Sequence, residues 1–287
     1  MGVYVVTGSA SGMGRATTEK LRAAGHRVIG VDIKDAEVIA DLSTSAGRTA
    51  AANAVLAATD GRMDGAVLAA GLGPSGDASN VPRILAVNFL GVAELAESWR
   101  PALAAAGNAK VVVVSSNSTT TMPAVPRRAI RALLRRDVDA AHRAVRPFRS
   151  VAPSMAYGAS KIAVSRWVRR TAVTPEWAAA GIRLNAIAPG AIWTPLLQQQ
   201  LAKPRDARAV RSFPVPVRTF GDPAHIADWM VFMLSDAADF LCGSVIFVDG
   251  GSDAYFRSDD WPQRVPARQL ARYLWLMATF RHRGSAP

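Results

Sequence analysis

The stretch that most constrains the fold is Thr7-Gly8-Ser9-Ala10-Ser11-Gly12-Met13-Gly14, directly after the apolar run Val3-Tyr4-Val5-Val6. An apolar run that is short and β-branched reads as a buried strand. Behind the turn, Arg15 to Ala24 carries good helix formers and no proline. Strand, glycine turn and helix together open a βαβ unit. Gly8 admits the tight turn, and Gly12 and Gly14 remove side chains where a pyrophosphate and the strand must approach the backbone. The start of the helix then offers free N–H groups and positive dipole to that anion.

A second strand, Arg27 to Asp32, ends in an acid eighteen residues beyond Gly14. A carboxylate there accepts hydrogen bonds from the adenosine ribose and repels a 2′-phosphate, so the expected cofactor is NAD rather than NADP. Further on, a helix near Ala46–Thr59 precedes a strand Ala66–Ala70 that stops at Gly71-Leu72-Gly73-Pro74. A long helical pattern over Val81–Ala106, interrupted by Pro82 and Pro101, leads to the strand Lys110–Val114 and Ser115-Ser116. A helix over Tyr157–Ala180 and a strand Arg183–Ile187 ending at Ala188-Pro189-Gly190 follow. Short helices over Thr194–Arg211, a helix Pro223–Leu234 and a strand Ser244–Val248 close the series. This alternation predicts the α/β class: one Rossmann-type, doubly wound parallel sheet.

Two segments fall outside the alternation. Residues 121–153 are arginine-rich and flanked by proline, and Ile130, Leu133, Leu134 and Val138 repeat at helical spacing, so they are expected to form a helical insert. Residues 257–287 form a basic amphipathic extension beyond a catalytic domain of 1–256. The net charge of +12 raises the question of nucleic acid. Residues 124–152 carry +6 and residues 257–287 carry +4, so the rest of the chain is nearly neutral and no nucleic-acid surface is expected. One cysteine, Cys242, suits a reducing compartment. Met1-Gly2-Val3 runs straight into a strand, which leaves no room for a signal peptide and makes the expected location cytoplasmic. The four histidines are scattered without ligand spacing, so no metal site is expected.

Tyr157-Gly158-Ala159-Ser160-Lys161 sets a phenol and an ammonium four residues apart on one helical face. Tyrosine is a poor proton donor or acceptor near neutrality. A nearby cation stabilises the phenolate, and an oxidised nicotinamide adds further positive charge. Tyr157 then exchanges a proton with an alcohol or ketone while hydride passes to or from the cofactor.

With these motifs in order, residues 3–255 resemble the short-chain dehydrogenase/reductase family. They share its Thr-Gly-x-x-x-Gly-x-Gly turn, Tyr-x-x-x-Lys, Pro189-Gly190 and terminal Asp249-Gly250-Gly251. The resemblance implies a catalytic set of Asn88, Ser116, Tyr157 and Lys161, with Ser116 orienting the substrate oxygen and Asn88 holding a water in a proton relay with Lys161. For the cofactor it implies Gly8, Ser11, Gly12, Met13, Gly14, Asp32 and Ile33 at the first turn. Asp41, Leu42, Ala70, Gly71, Tyr157, Lys161, Pro189, Gly190, Ile192 and Thr194 complete that set. The family's Asn-Asn-Ala-Gly is here Leu68-Ala69-Ala70-Gly71, and the gap of forty-one residues from Ser116 to Tyr157 is unusually wide. That gap, Gly25-His26-Arg27 and the run Asp35–Thr44 look like the bacterial 3α-hydroxysteroid dehydrogenase/carbonyl reductase branch.

The expected activity is therefore NAD-dependent interconversion of a secondary alcohol and a ketone on a hydrophobic substrate, with a hydroxysteroid as one candidate. Ser116, Met155, Trp193, Leu196, Leu197 and Phe213 are expected to border its pocket. A dehydrogenase of a cyclic diol or small aromatic alcohol, and a non-catalytic NAD-binding regulator, stay open as alternatives. An insert before the Tyr157 helix should obstruct the four-helix contact through which many relatives form tetramers. What is left is a homodimer through Pro223–Leu234 and Ser244–Val248. Arg268 to Arg283 reads as a helix with a wide apolar arc, expected to pack on its own or a partner subunit as a pocket wall in preference to anchoring at a membrane.

Overall fold

In the computed structural model, which describes residues 1–260 and 266–280, seven parallel strands form one sheet. They are β1 (Val3–Thr7), β2 (Arg27–Asp32), β3 (Val38–Ile39), β4 (Gly65–Leu68), β5 (Ala109–Val114), β6 (Ile182–Pro189) and β7 (Val245–Val248), in the order β3-β2-β1-β4-β5-β6-β7. The order reverses direction at β1, where β1 pairs β2 on one side and β4 on the other. Such a switch point opens a crevice at the carboxyl ends of the strands. The two-residue strand β3 was not expected. It pairs with the end of β2 through Val31↔Val38 and Asp32↔Ile39.

Both faces of the sheet are covered, which is why β4 and the four valines Val111 to Val114 of β5 read as unbroken apolar runs. One face is covered by α1 (Gly12–Ala23) and, from further along the chain, the helix Pro223–Leu234, around Val6, Val67, Val112 and Ile187. The other is covered by α2 (Ser45–Ala58), α3 (Val81–Leu85), α4 (Gly91–Ala104) and the helix Ala152–Thr171. Between α3 and α4 the chain winds as a π-helix over Ala86–Leu90, so the expected single pattern is three segments. Pro82 sits at the start of α3, where its missing N–H costs nothing, while Pro101 lies inside α4.

The insert consists of a short turn of helix, α5 (Ser118–Thr121), then α6 (Arg127–Leu134), α7 (Val138–Val145) and a 3₁₀ stretch, Arg146–Val151. It leads into α8 (Ala152–Thr171), which starts five residues before the expected Tyr157 and ends well before Ala180. Pro153 in the first turn of α8 is tolerated there for the same reason as Pro82. Ala129, Ile130 and Leu133 of α6 and Val145 of α7 are buried. A Cβ on Gly158 of α8 would meet Val125 Cγ2 at 3.0 Å and Met122 Sδ at 3.1 Å. The glycine inside Tyr-Gly-Ala-Ser-Lys is therefore what lets the insert sit against the catalytic helix.

After β6 come α9 (Pro195–Leu201), α10 (Pro204–Ser212) and α11 (Pro223–Leu234), and after β7 the short α12 (Ser252–Phe256). The tail forms α13 (Leu270–Thr279), behind a 3₁₀ turn, Ala267–Gln269. Arg281, His282 and Arg283 of the expected helix lie outside the described residues. The expected packing of α13 on its own subunit is not seen among the described residues, where Leu270, Leu274, Trp275 and Met277 are each more than half exposed, which leaves a partner subunit as the expected cover. No helix among the described residues is long and apolar enough to cross a membrane.

Candidate active site

The site sits at the carboxyl ends of β1, β2, β4, β5 and β6. The glycine turn is held open by close packing. A Cβ on Gly14 would fall 2.2 Å from the Gly8 carbonyl oxygen, and one on Gly8, at φ +72°, would fall 2.8 Å from the Ala70 nitrogen. Gly12, at φ +54°, faces the methyl of Thr194 at 3.2 Å from such a Cβ. The Thr7 hydroxyl accepts from the Ala70 N–H at 3.1 Å, tying the ends of β1 and β4 together.

Asp32 closes the far side of the turn. Its Oδ2 accepts from the Ala10 N–H at 3.0 Å and its Oδ1 from the Ile33 N–H at 2.7 Å. Asp41 accepts from the Ser43 N–H at 2.9 Å; hydrogen bonds from Ser43 and the charge of Arg83 hold its carboxyl below the usual range. A cavity of about 210 Å³ runs from Asp32, Ile33, Asp41 and Leu42 past Gly8, Ser11, Gly12, Met13 and Gly14 to Ala70, Gly71 and Thr194. Its glycine floor and acidic end suit an extended dinucleotide.

A second cavity of about 410 Å³ adjoins it, sharing Met13, Gly71, Leu72, Thr194 and Leu196. Ser116, Tyr157, Lys161, Pro189, Gly190 and Ile192 line it, as do Leu197 and Phe213. Burial pushes the Tyr157 phenol above its ordinary pKa, and a hydrogen bond from Ser116 pulls it part of the way back. Burial alone lowers Lys161 from 10.5 to about 8. Its Nζ donates to the Val114 carbonyl at 2.8 Å and stands 5.8 Å from the centre of the Tyr157 ring. The two serines after β5 divide their roles. Ser115 Oγ is 2.6 Å from Ser165 Oγ, locked into the α8 contact, whereas Ser116 is bonded to Tyr157 and accepts from the Ser118 N–H at 3.1 Å.

Asn88 is fully buried in the π-helical stretch, a distortion frequent at functional sites. Its Oδ1 accepts from the Leu72 N–H at 2.8 Å, and its Nδ2 donates to the Leu72 carbonyl at 2.9 Å and to Ser160 Oγ at 3.3 Å. It thus anchors the loop after β4 to α8 beside Lys161.

Residues 2–126 match the family model described as short chain dehydrogenase, and residues 141–253 the one described as enoyl-(acyl carrier protein) reductase. The 3-alpha-hydroxysteroid dehydrogenase/carbonyl reductase of Comamonas testosteroni is 40% identical over 258 residues, 90% of this chain and 98% of that one. The chain belongs to the short-chain dehydrogenase/reductase family. It is an oxidoreductase acting on hydroxyl groups. The structure of the 3-alpha-hydroxysteroid dehydrogenase from Pseudomonas sp. B-0831 complexed with NADH superposes with a TM-score of 0.84 at 39% identity, covering 90% of this chain and all of that one. The cis-4-hydroxycyclohexanecarboxylate dehydrogenase of Sinomonas cyclohexanicum is 31% identical over 88% of this chain and 96% of its own.

Within this short-chain dehydrogenase/reductase, two expected pocket residues stand elsewhere. Met155 falls inside α8 on a different face from Ser154, Tyr157 and Lys161, and packs against the core. Trp193 is half exposed and stacks on Phe220 with ring centres 5.7 Å apart. The bridge Ile192↔Gly221 turns that segment so that Ile192 faces inward. Residues the sequence reading missed include Arg83 at the dinucleotide cavity and Met122 and Gln200 at the larger one. Met122 was accessible to inference, because the insert starts directly beyond Ser116. Arg83 and Gln200 carry no local signal.

Proposed function

We propose that the chain is an NAD-dependent dehydrogenase/carbonyl reductase that interconverts a secondary alcohol and a ketone on a bulky hydrophobic substrate, a hydroxysteroid first among candidates. The observation that carries this is the convergence of Ser116, Tyr157 and Lys161 where a glycine-floored cavity meets a larger, mostly apolar one. Bound NAD supplies the hydride acceptor or donor and, when oxidised, a positive charge that pulls the nearby phenol toward ionisation. Tyr157 takes the hydroxyl proton in oxidation and returns it to the carbonyl oxygen in reduction. Ser116 donates a hydrogen bond to that oxygen, and Lys161 favours the phenolate. Asn88, through a held water, completes the proton path to Lys161. Met122, Leu196, Leu197 and Phe213 give the substrate an apolar wall. The protein works in a reducing, cytoplasmic setting, in keeping with the lone Cys242.

A cyclic alcohol is the second reading, supported by the likeness to the cis-4-hydroxycyclohexanecarboxylate dehydrogenase. A panel of 3-hydroxysteroids and cyclic alcohols, followed by absorbance of the reduced cofactor, separates the two. NAD should be preferred over NADP, since Asp32 meets the ribose end. Asp32→Ala with Ile33→Arg should reverse that preference by replacing repulsion of a 2′-phosphate with attraction. An unmodified enzyme that prefers NADP would overturn the cofactor assignment, and failure to turn over any steroid would overturn the first substrate.

We also infer a twofold homodimer built on α11 and β7. Trp229 and Phe232 of α11 are 42% and 46% exposed and lie edge to face, and β7 is the last strand of the sheet among the described residues. Light scattering at micromolar concentration should give twice the chain mass for the native protein and the chain mass for Trp229→Arg. A tetramer would count against obstruction by the insert.

A further inference from the structure

We propose that the cleft between α6 and α7 is a binding site for a small polyanion carrying two or more phosphate or carboxylate groups. Arg128, Arg131 and Arg135 are spaced three and four residues apart and form one stripe along α6, and Arg143 lines the same cleft from α7. The rest of the lining is Ala132, Ala140 and Ala144, whose short side chains leave an opening of about 450 Å³. The cleft shares no residue with the two cavities of the catalytic site.

The arginines are not balanced from within. No carboxylate lines the cleft. Asp137 is turned to the start of α7, where it accepts from the Ala140 N–H at 2.8 Å. Arg136 is paired with Glu97, but among the described residues no ion pair engages Arg128, Arg131, Arg135 or Arg143. Arg127 and Arg131, and Arg131 and Arg135, are like-charge pairs one turn apart, which destabilise a helix. The positive field reaches the neighbouring helix. Arg166 of α8 is held below its ordinary value by burial and then by the charges of Arg170, Arg127 and Arg131.

A ligand with several anionic oxygens resolves this arrangement. Planar guanidinium forks bind phosphate and carboxylate through paired N–H···O contacts. A concave site with four forks favours a compact anion over a flat surface. A second copy of the chain is a poor occupant, because a twofold axis would set arginine against arginine.

The test uses the full chain at low salt with saturating NAD, so that the dinucleotide site is filled, and sodium tripolyphosphate as the probe in titration calorimetry. One anion should bind per chain, with affinity falling as salt rises. Arg131→Gln with Arg135→Gln should weaken binding at least tenfold, while Arg268→Gln with Arg272→Gln on the tail should not change it. Without the anion the tail variant should keep the native melting temperature and the cleft variant should match or slightly exceed it, since two like-charge pairs are gone, and the cleft variant should lose the rise in melting temperature that tripolyphosphate gives the native chain. No binding, or equal binding by the cleft variant, would overturn the proposal. So would attachment to phosphatidylserine vesicles without affinity for tripolyphosphate, because the basic surface would then be a membrane contact.

Discussion

Tyr157→Phe is expected to lower turnover by about two to four orders of magnitude, the usual contribution of a positioned general acid or base. NAD binding should stay within a small factor of native. The substitution keeps the ring that fills the site and removes the one ionisable oxygen bonded to Ser116. The pH dependence should change with it. Oxidation of an alcohol needs the phenolate and reduction of a ketone needs the phenol. Burial holds the free phenol above its ordinary value, so native oxidation should climb with pH over the alkaline range while reduction falls. The residual rate of Tyr157→Phe should lack that slope. Stopped-flow measurement of reduced cofactor, beside a fluorescence titration of NADH, checks both. Near-native turnover in the variant would assign the proton transfer to another group.

Much of this arrangement was legible because its determinants are local. Gly14 is dictated by a clearance close in sequence, against the Gly8 carbonyl, and needs no tertiary information, while Gly8 and Gly12 stand at positive φ. Strands buried on both faces announce themselves as apolar runs, and Arg27–Asp32 and Pro223–Leu234 have the expected bounds. Errors arose where a boundary or a distant partner decides the direction of a side chain. Placing Met155 at the border of the pocket depended on where α8 begins. Once Ala152 opens the helix, its period gives the cavity to Ser154, Tyr157 and Lys161 and turns Met155 into the core. Trp193 is directed by Gly221 and Phe220, nearly thirty residues away. The tail shows a different limit, since an apolar arc states that something covers it without stating what.

Lys161→Met is expected to remove activity and at the same time stabilise the fold. Lys161 is 5% exposed and its ammonium has one backbone acceptor, the Val114 carbonyl. Burial takes it from 10.5 to about 8, a displacement equivalent to roughly 3 kcal/mol in favour of the neutral amine. The folded value lies below the unfolded one, so between about pH 8 and 10.5 the unfolded chain holds more protons and the contribution of Lys161 to stability rises with pH. At pH 7 the charged form predominates and the fold carries nearly the whole cost. An apolar side chain of similar length avoids that cost but forfeits the hydrogen bond to Val114, worth about 1–3 kcal/mol for a charged donor. The net gain should be about 0–2 kcal/mol at pH 7, seen as a higher urea midpoint with an unchanged slope. It should shrink from about pH 8, where the native amine loses its proton, and be gone by about pH 10.5. Turnover should fall by orders of magnitude, because the phenolate of Tyr157 loses its nearby cation. A variant less stable than native at pH 7 would mean that the ammonium is well solvated or paired, and the low Lys161 value would have to be abandoned.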